Sequence, residues 1–95
     1  MQPCAYILAS QPFGTLYVGV TSDLVQRVWQ HREGLVEGFA REHDVHLLVW
    51  YELHATMDAA FTREKRIEEW RREWKIRLIE SENPEWDDRY SSILA

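Results

Sequence analysis

Two short apolar runs near the N-terminus, "CAYILA" at 4–9 and "LYVGV" at 16–20, are separated only by "SQPFGT". Pro12 and Gly14 punctuate the connection, so the pattern predicts two β-strands joined as a hairpin. The chain turns helical directly afterwards. Thr21 or Ser22 can cap a helix N-terminus, Asp23 favours a first turn, and Gly34 stands where a helix stops. The first helix is therefore predicted over about Asp23–Glu33. A hairpin that feeds straight into a helix commits a short chain to packing helices on a small sheet.

"VHLLVWYE" at 45–52 is rich in Val, Leu and aromatic residues and predicts a third strand, placed at the centre of the sheet. The stretch 34–44 between them reads as polar and irregular. From Met57 to Ser81 the pattern is helical, with no proline before Pro84, and "WRRE" at 70–73 is a candidate joint between two helices. The tail "NPEWDDRYSSILA" closes the chain. The expected architecture is a single α+β domain over 1–95, a small three-stranded antiparallel sheet flanked by helices in the order β-β-α-β-α-α.

Composition agrees with one folded domain. The chain has 95 residues, 45% of them hydrophobic, with five Trp, four Tyr and three Phe. A single cysteine, Cys4, offers neither an intrachain disulfide nor a metal-binding pair, which points to a reducing compartment. No leader-like segment or membrane-length apolar run is seen, so a cytoplasmic protein without membrane contact is expected. The net charge of −5 argues against holding nucleic acid by bulk attraction. The charge is uneven, however: residues 63–77 carry seven Lys/Arg against four Glu, and residues 80–88 carry five acids and no base. These are either solvated helix faces or a basic patch beside an acidic edge, suited to oriented phosphate contact.

On the first helix, Leu24, Arg27, Val28 and His31 share the spacing of one face. Leu24 and Val28 seek the sheet, which draws Arg27 and His31 toward the sheet's edge, where Tyr17 can present its hydroxyl. A phenol, a guanidinium and an imidazole together offer a proton acceptor, a phosphate-binding fork and a second acid or base. On the later helical segment Ala60, Ile67, Trp70, Trp74 and Leu78 fall on one side, and Glu64 and Arg71 lie inside that same arc. A semi-buried Glu64 needs a partner. It is either an ion pair with Arg71 or Arg27, or a ligand for a hard divalent cation, which takes its other ligands from water and phosphate.

These residues resemble the GIY-YIG nucleases. "AYIL" at 5–8 is similar to the first half of that family's motif and "YVG" at 17–19 to the second, with Arg27 ten residues after Tyr17 and Glu64 in "AFTREKRIEEW". The resemblance covers nearly the whole chain and is strongest to small stand-alone bacterial members, which share "LYVGVTSDLVQRVWQH", "REKRIEEWRREWKIRLI" and "NPEW". The domain is also similar to the N-terminal domain of excision-repair nucleases. Ala5 replaces the motif's first glycine, which a strand tolerates, and no second DNA-binding domain is expected.

The resemblance implies a metal-dependent endonuclease acting on a phosphodiester backbone in DNA repair, recombination or processing. Its catalytic set would be Tyr6, Tyr17, Arg27, His31 and Glu64. Tyr17 would position or deprotonate the attacking water with Tyr6 nearby, and Arg27 would bind the scissile phosphate. Glu64 would hold one divalent ion, Mg²⁺ or Mn²⁺. His31 is either a second proton-transfer group or an ordinary buried histidine. Lys65 and Arg66 are candidates for flanking phosphates or for plain solvent exposure, Gly19 for close backbone approach beside the site, and Asn83 for a structural position near it. Trp70, Trp74 and Trp86 are read as packing residues. The expected partner is nucleic acid, DNA before RNA, with a protein partner also compatible. The alternative is a non-catalytic nucleic-acid or protein-binding module that keeps this fold.

Overall fold

The computed structural model describes residues 2–94. Three antiparallel strands, β1 (Cys4–Ala9), β2 (Leu16–Thr21) and β3 (Leu47–Leu53), form one sheet in the order β2-β1-β3. The central strand is therefore β1 and not the third strand as its apolar density suggested. All six residues of β1 are buried, whereas the far end of β3 opens to solvent. A bulge between Ile7 and Leu8 leaves Val49 without a partner on β1. Val49 and Trp50 consequently both enter the same core cluster, which strict alternation would forbid.

Helices cover both faces. On one, α1 (Leu24–Arg32), α2 (Phe39–Glu42) and α5 (Tyr90–Ile93) pack Leu24, Val28, Ala40 and Ile93 against Tyr6, Leu8 and Leu48. On the other, α3 (Met57–Glu69) lies over β1 and β2, and α4 (Arg72–Glu82) lies over β3. There Ile67, Ile79 and Trp86 meet Ala5, Ile7 and Val18. The stretch 34–44, expected to be irregular, contains the single-turn α2, and the tail contains α5. Both are too short to announce themselves by periodicity.

The caps explain the helix limits. Asp23 is the N-cap of α1 rather than a first-turn residue, accepting from the Gln26 amide at 3.2 Å, and Thr56 caps α3 by accepting from Ala59 at 3.1 Å. Each such cap is worth about 1 kcal/mol. Gly34 follows α1 at φ +70°, in the left-handed region that a helix stop favours. Trp70 and Arg71 both adopt extended backbone, so "WRRE" does separate two helices. That break resets the helical phase. Ala60 and Ile67 stay buried, but Arg71 and Trp74 turn to solvent, correcting the arc drawn through one continuous helix.

The tail closes the β3 edge. Leu48 N–H donates to Asp88 Oδ1 at 3.2 Å, Arg89 N–H to Leu48 O at 2.8 Å, and Asn83 Nδ2 to Val49 O at 3.0 Å. Those contacts satisfy backbone groups that an open edge would expose. The opposite edge strand is β2, and the candidate site forms around it. No helix among the described residues is long and apolar enough to cross a membrane.

Candidate active site

Tyr6 and Gly19 are cross-strand partners on β1 and β2, as are Leu8 and Tyr17. With a strand's two-residue period, Tyr6 and Tyr17 emerge on the same face, the one that α1 covers. Leu24, Val28 and His31 are the buried positions of α1, so the packing that seats the helix also drives the imidazole in beside the phenols. Ring centroids lie 6.4 Å apart for Tyr6 and Tyr17, 6.3 Å for Tyr6 and His31, and 5.2 Å for Tyr17 and His31. Three rings from three elements thus converge.

Gly19 makes room for this convergence. A Cβ at that position would stand 2.4 Å from Tyr6 Cζ and 2.5 Å from its hydroxyl oxygen, far inside van der Waals contact. No left-handed backbone is required at Gly19. Its lack of a side chain serves space, letting the Tyr6 phenol lie flat across the neighbouring strand.

The electrostatics assign different states to the rings. Tyr6 is almost fully buried, and burial pushes its hydroxyl well above the ordinary phenol range, with Tyr17 adding to the rise and Arg27 opposing it. Tyr6 is held as a neutral hydrogen-bond donor. Burial, reinforced by the Arg27 charge, lowers His31 to about 4, so the imidazole is neutral at physiological pH. His31 Nδ1 is buried and has no hydrogen-bond partner among the described residues. Such an atom is costly unless a ligand or water engages it.

Arg27 departs from the expectation that it would be drawn away from water. Its backbone shares the α1 face, but the side chain is exposed, reaching Gln30 Oε1 at 3.3 Å and lining a shallow cleft with Thr21, Ser22, Asp23 and Gln26. Long side chains bury the stem and keep the charged end in solvent. The guanidinium is nevertheless close enough to act on both Tyr6 and His31.

From the other side of the sheet, α3 contributes Glu64, which is only 6% exposed. The proposed ion pairs with Arg71 or Arg27 do not form; the carboxyl instead neighbours that of Glu68, one turn on. Burial first, then Glu68, raises Glu64 to about 7. Arg63, on the opposite flank of α3, pairs with Glu52 at 3.0 Å, which leaves Lys65 as the cation that opposes the rise at Glu64. A buried carboxyl beside a second, exposed one must keep a proton or acquire a positive ion. That donor set fits a hard divalent cation, which needs one or two carboxylates and completes its shell with water and phosphate oxygens. Glu68 was not identified from sequence, although its i+4 position from Glu64 is the signal that could have found it.

Glu68 also opens onto a cleft of about 410 Å³ along the β2 edge, together with Leu16, Tyr17, Val18, Phe39 and Lys75. Neither Lys65 nor Arg66 lines this cleft. Lys65 sits 3.7 Å from Glu68 and 5.1 Å from the Phe61 ring centre, and Arg66 is exposed. Asn83 is structural, but none of its partners belongs to this site. Its Nδ2 donates to Val49 O and Asp87 O, and its Oδ1 accepts from Asp87 N–H, so the whole amide is spent on the tail. Trp86 is buried as a packing residue, whereas Trp74 stands 49% exposed. Cys4 is fully buried, and burial raises its thiol to about 11, an inert state.

Comparison with known proteins bears on the family and the fold. The model of the GIY-YIG catalytic domain matches residues 2–77. The chain is 36% identical over 66 residues to the UPF0213 protein HQ_3675A of Haloquadratum walsbyi, covering 70% of this chain and 74% of that protein. It also resembles the solution structure of the UPF0213 protein BH0048 from Bacillus halodurans, at a TM-score of 0.58 and 23% identity, over 93% of each chain. That second likeness concerns the fold.

Proposed function

The chain belongs to the GIY-YIG catalytic-domain family, and from that premise we propose that it is a metal-dependent phosphodiesterase acting on nucleic acid, with DNA the favoured substrate. The observation that carries the reading is the convergence of Tyr6, Tyr17 and His31 over Gly19. A core needs no space cleared for a phenol and no unpartnered imidazole nitrogen; a hydrolytic site uses both.

Tyr17 is half-buried and faces the β2-edge cleft, so its hydroxyl is available to orient an attacking water. His31, neutral and with Nδ1 unengaged, can accept a proton from that hydroxyl or from the water. Tyr6 stays protonated, so its hydroxyl is available as a donor within the site. Arg27, exposed at the surface, binds the phosphate and offsets the charge that grows on its oxygens in the transition state. Glu64 and Glu68 would hold one Mg²⁺ or Mn²⁺ ion. Such an ion would supply Lewis-acid stabilisation of the charge on the phosphoryl and leaving-group oxygens.

Incubation with a panel of labelled single-stranded, duplex and branched DNA and RNA, with Mg²⁺, Mn²⁺ or chelator, tests the proposal. Cleavage that stops in chelator supports it. Binding without cleavage under every ion condition would overturn it in favour of a non-catalytic module.

A further inference from the structure

The cleft along the β2 edge holds two features that proton transfer and phosphate activation do not use. Phe39 is 51% exposed in α2, and its ring lies against that of His43, 4.2 Å between centroids and tilted by 37°. Lys75 reaches the same cleft from α4 and has no ion-pair partner among the described residues. The cleft's other charge, Glu68, belongs to the carboxyl pair described above, which leaves Lys75 as its cation. Phe39 with its His43 neighbour, Lys75 and Tyr17 therefore come together at one volume of about 410 Å³, lined by Phe39, Lys75 and Tyr17. That volume is within the roughly 300–1,000 Å³ typical of small-ligand sites.

We propose that this cleft is a nucleotide subsite, in which an unpaired base stacks on Phe39 and its phosphate pairs with Lys75. Within a duplex both faces of a base are covered by neighbours, so only a nucleotide out of the stack can use an aromatic platform. The substrate class is accordingly nucleic acid with an unpaired nucleotide beside the cleaved bond. Positive charge and an aromatic face together match the two ends of a nucleotide, the anionic and the planar. This inference rests on the hydrolytic reading above and specifies its substrate.

The test compares wild type, Phe39→Ala, Phe39→Trp and Lys75→Gln on two substrates, one with an unpaired nucleotide beside the cut and one abasic at that position. With the base present, Phe39→Ala is expected to lose between about 5-fold and about 150-fold in kcat/KM, and Phe39→Trp to retain activity. On the abasic substrate wild type and Phe39→Ala become equal. Lys75→Gln lowers affinity for both substrates alike and reduces the salt dependence by about one counterion. A Phe39→Ala enzyme that matches wild type on the base-containing substrate overturns the subsite while leaving hydrolysis standing. If wild type cleaves nothing, hydrolysis has failed, and the subsite is judged by binding of the same strand carrying a fluorescent purine analogue at the unpaired position. Quenching that Phe39→Ala abolishes supports it; quenching that Phe39→Ala leaves unchanged, or no binding, overturns it.

Discussion

Replacing Gly19 with Ala isolates the steric condition for the three-ring site. The added Cβ would meet Tyr6 Cζ at 2.4 Å, Tyr6 Oη at 2.5 Å and Tyr6 Cε1 at 2.9 Å, where ordinary contact begins near 3.4 Å. The ring must withdraw by about 1 Å, yet Tyr6 is 1% exposed on the central strand and has Tyr17 and His31 beside it. Overpacking of this kind costs about 1–3 kcal/mol. A displacement of about 1 Å in a reacting group's support costs about 100-fold in rate. Urea denaturation and cleavage kinetics read the two effects separately. A double-mutant cycle sharpens the test. Tyr6→Phe keeps Cζ and Cε1, so Gly19→Ala stays costly on that background. Tyr6→Leu removes the overlap, and Gly19→Ala then becomes neutral or slightly stabilising, because alanine loses less backbone freedom than glycine on folding. An equal penalty in the wild-type and Tyr6→Leu backgrounds would refute the steric reasoning.

Four further predictions concern the surrounding groups. Glu64 is raised to about 7 from 4.5, so its contribution to stability is full below pH 4.5 and is lost as pH rises through about 7. In chelator, Glu64→Gln is expected to gain on wild type by about 3 kcal/mol between those limits, at about 1.4 kcal/mol per pH unit, measured by denaturation across pH. His31 has the opposite sign: lowered from 6.5 to about 4, it leaves the protein fully stable above pH 6.5 and removes about 3 kcal/mol as pH falls to about 4, a loss that His31→Gln escapes. Asn83→Ala frees the tail from Val49, removes its internal brace at Asp87 and should cost about 2–4 kcal/mol, read as a lower denaturation midpoint and faster proteolysis after residue 83, with the Tyr6 site retained. Arg27→Ala should lower kcat by at least tenfold with a smaller change in substrate binding and under about 0.5 kcal/mol in stability, since the side chain is exposed.

The hairpin and the α1 face were legible because local pattern determines both. Apolar runs broken by Pro12 and Gly14 encode the turn, and Leu24, Val28 and His31 at helical spacing encode a buried face. Glu64 was legible for the same reason, sitting between Ala60 and Ile67 on α3. Strand order was not, because it depends on non-local pairing: β1 and β3 are both apolar, and only the tail contacts from Asn83, Asp88 and Arg89 explain why β3 tolerates the edge. The exposed Trp74 and Arg71 were misread because a two-residue break at Trp70 and Arg71 rotates α4 relative to α3, while periodicity assumes one axis. Arg27 shows a different limit. Its Cα obeys the face, but its length lets the charge leave it. Phe39 escaped notice because one helical turn has no measurable period, and its exposure follows from how α2 meets the β2 edge.

The central claim is that Glu64 supports ion-dependent cleavage of nucleic acid. The most direct measurement is the cleavage rate of the labelled panel by wild type and Glu64→Ala at matched, saturating Mg²⁺, with folding of the variant verified by circular dichroism. The account predicts that wild type cleaves at least one panel member and that folded Glu64→Ala cleaves none. Undiminished cleavage by folded Glu64→Ala would contradict it.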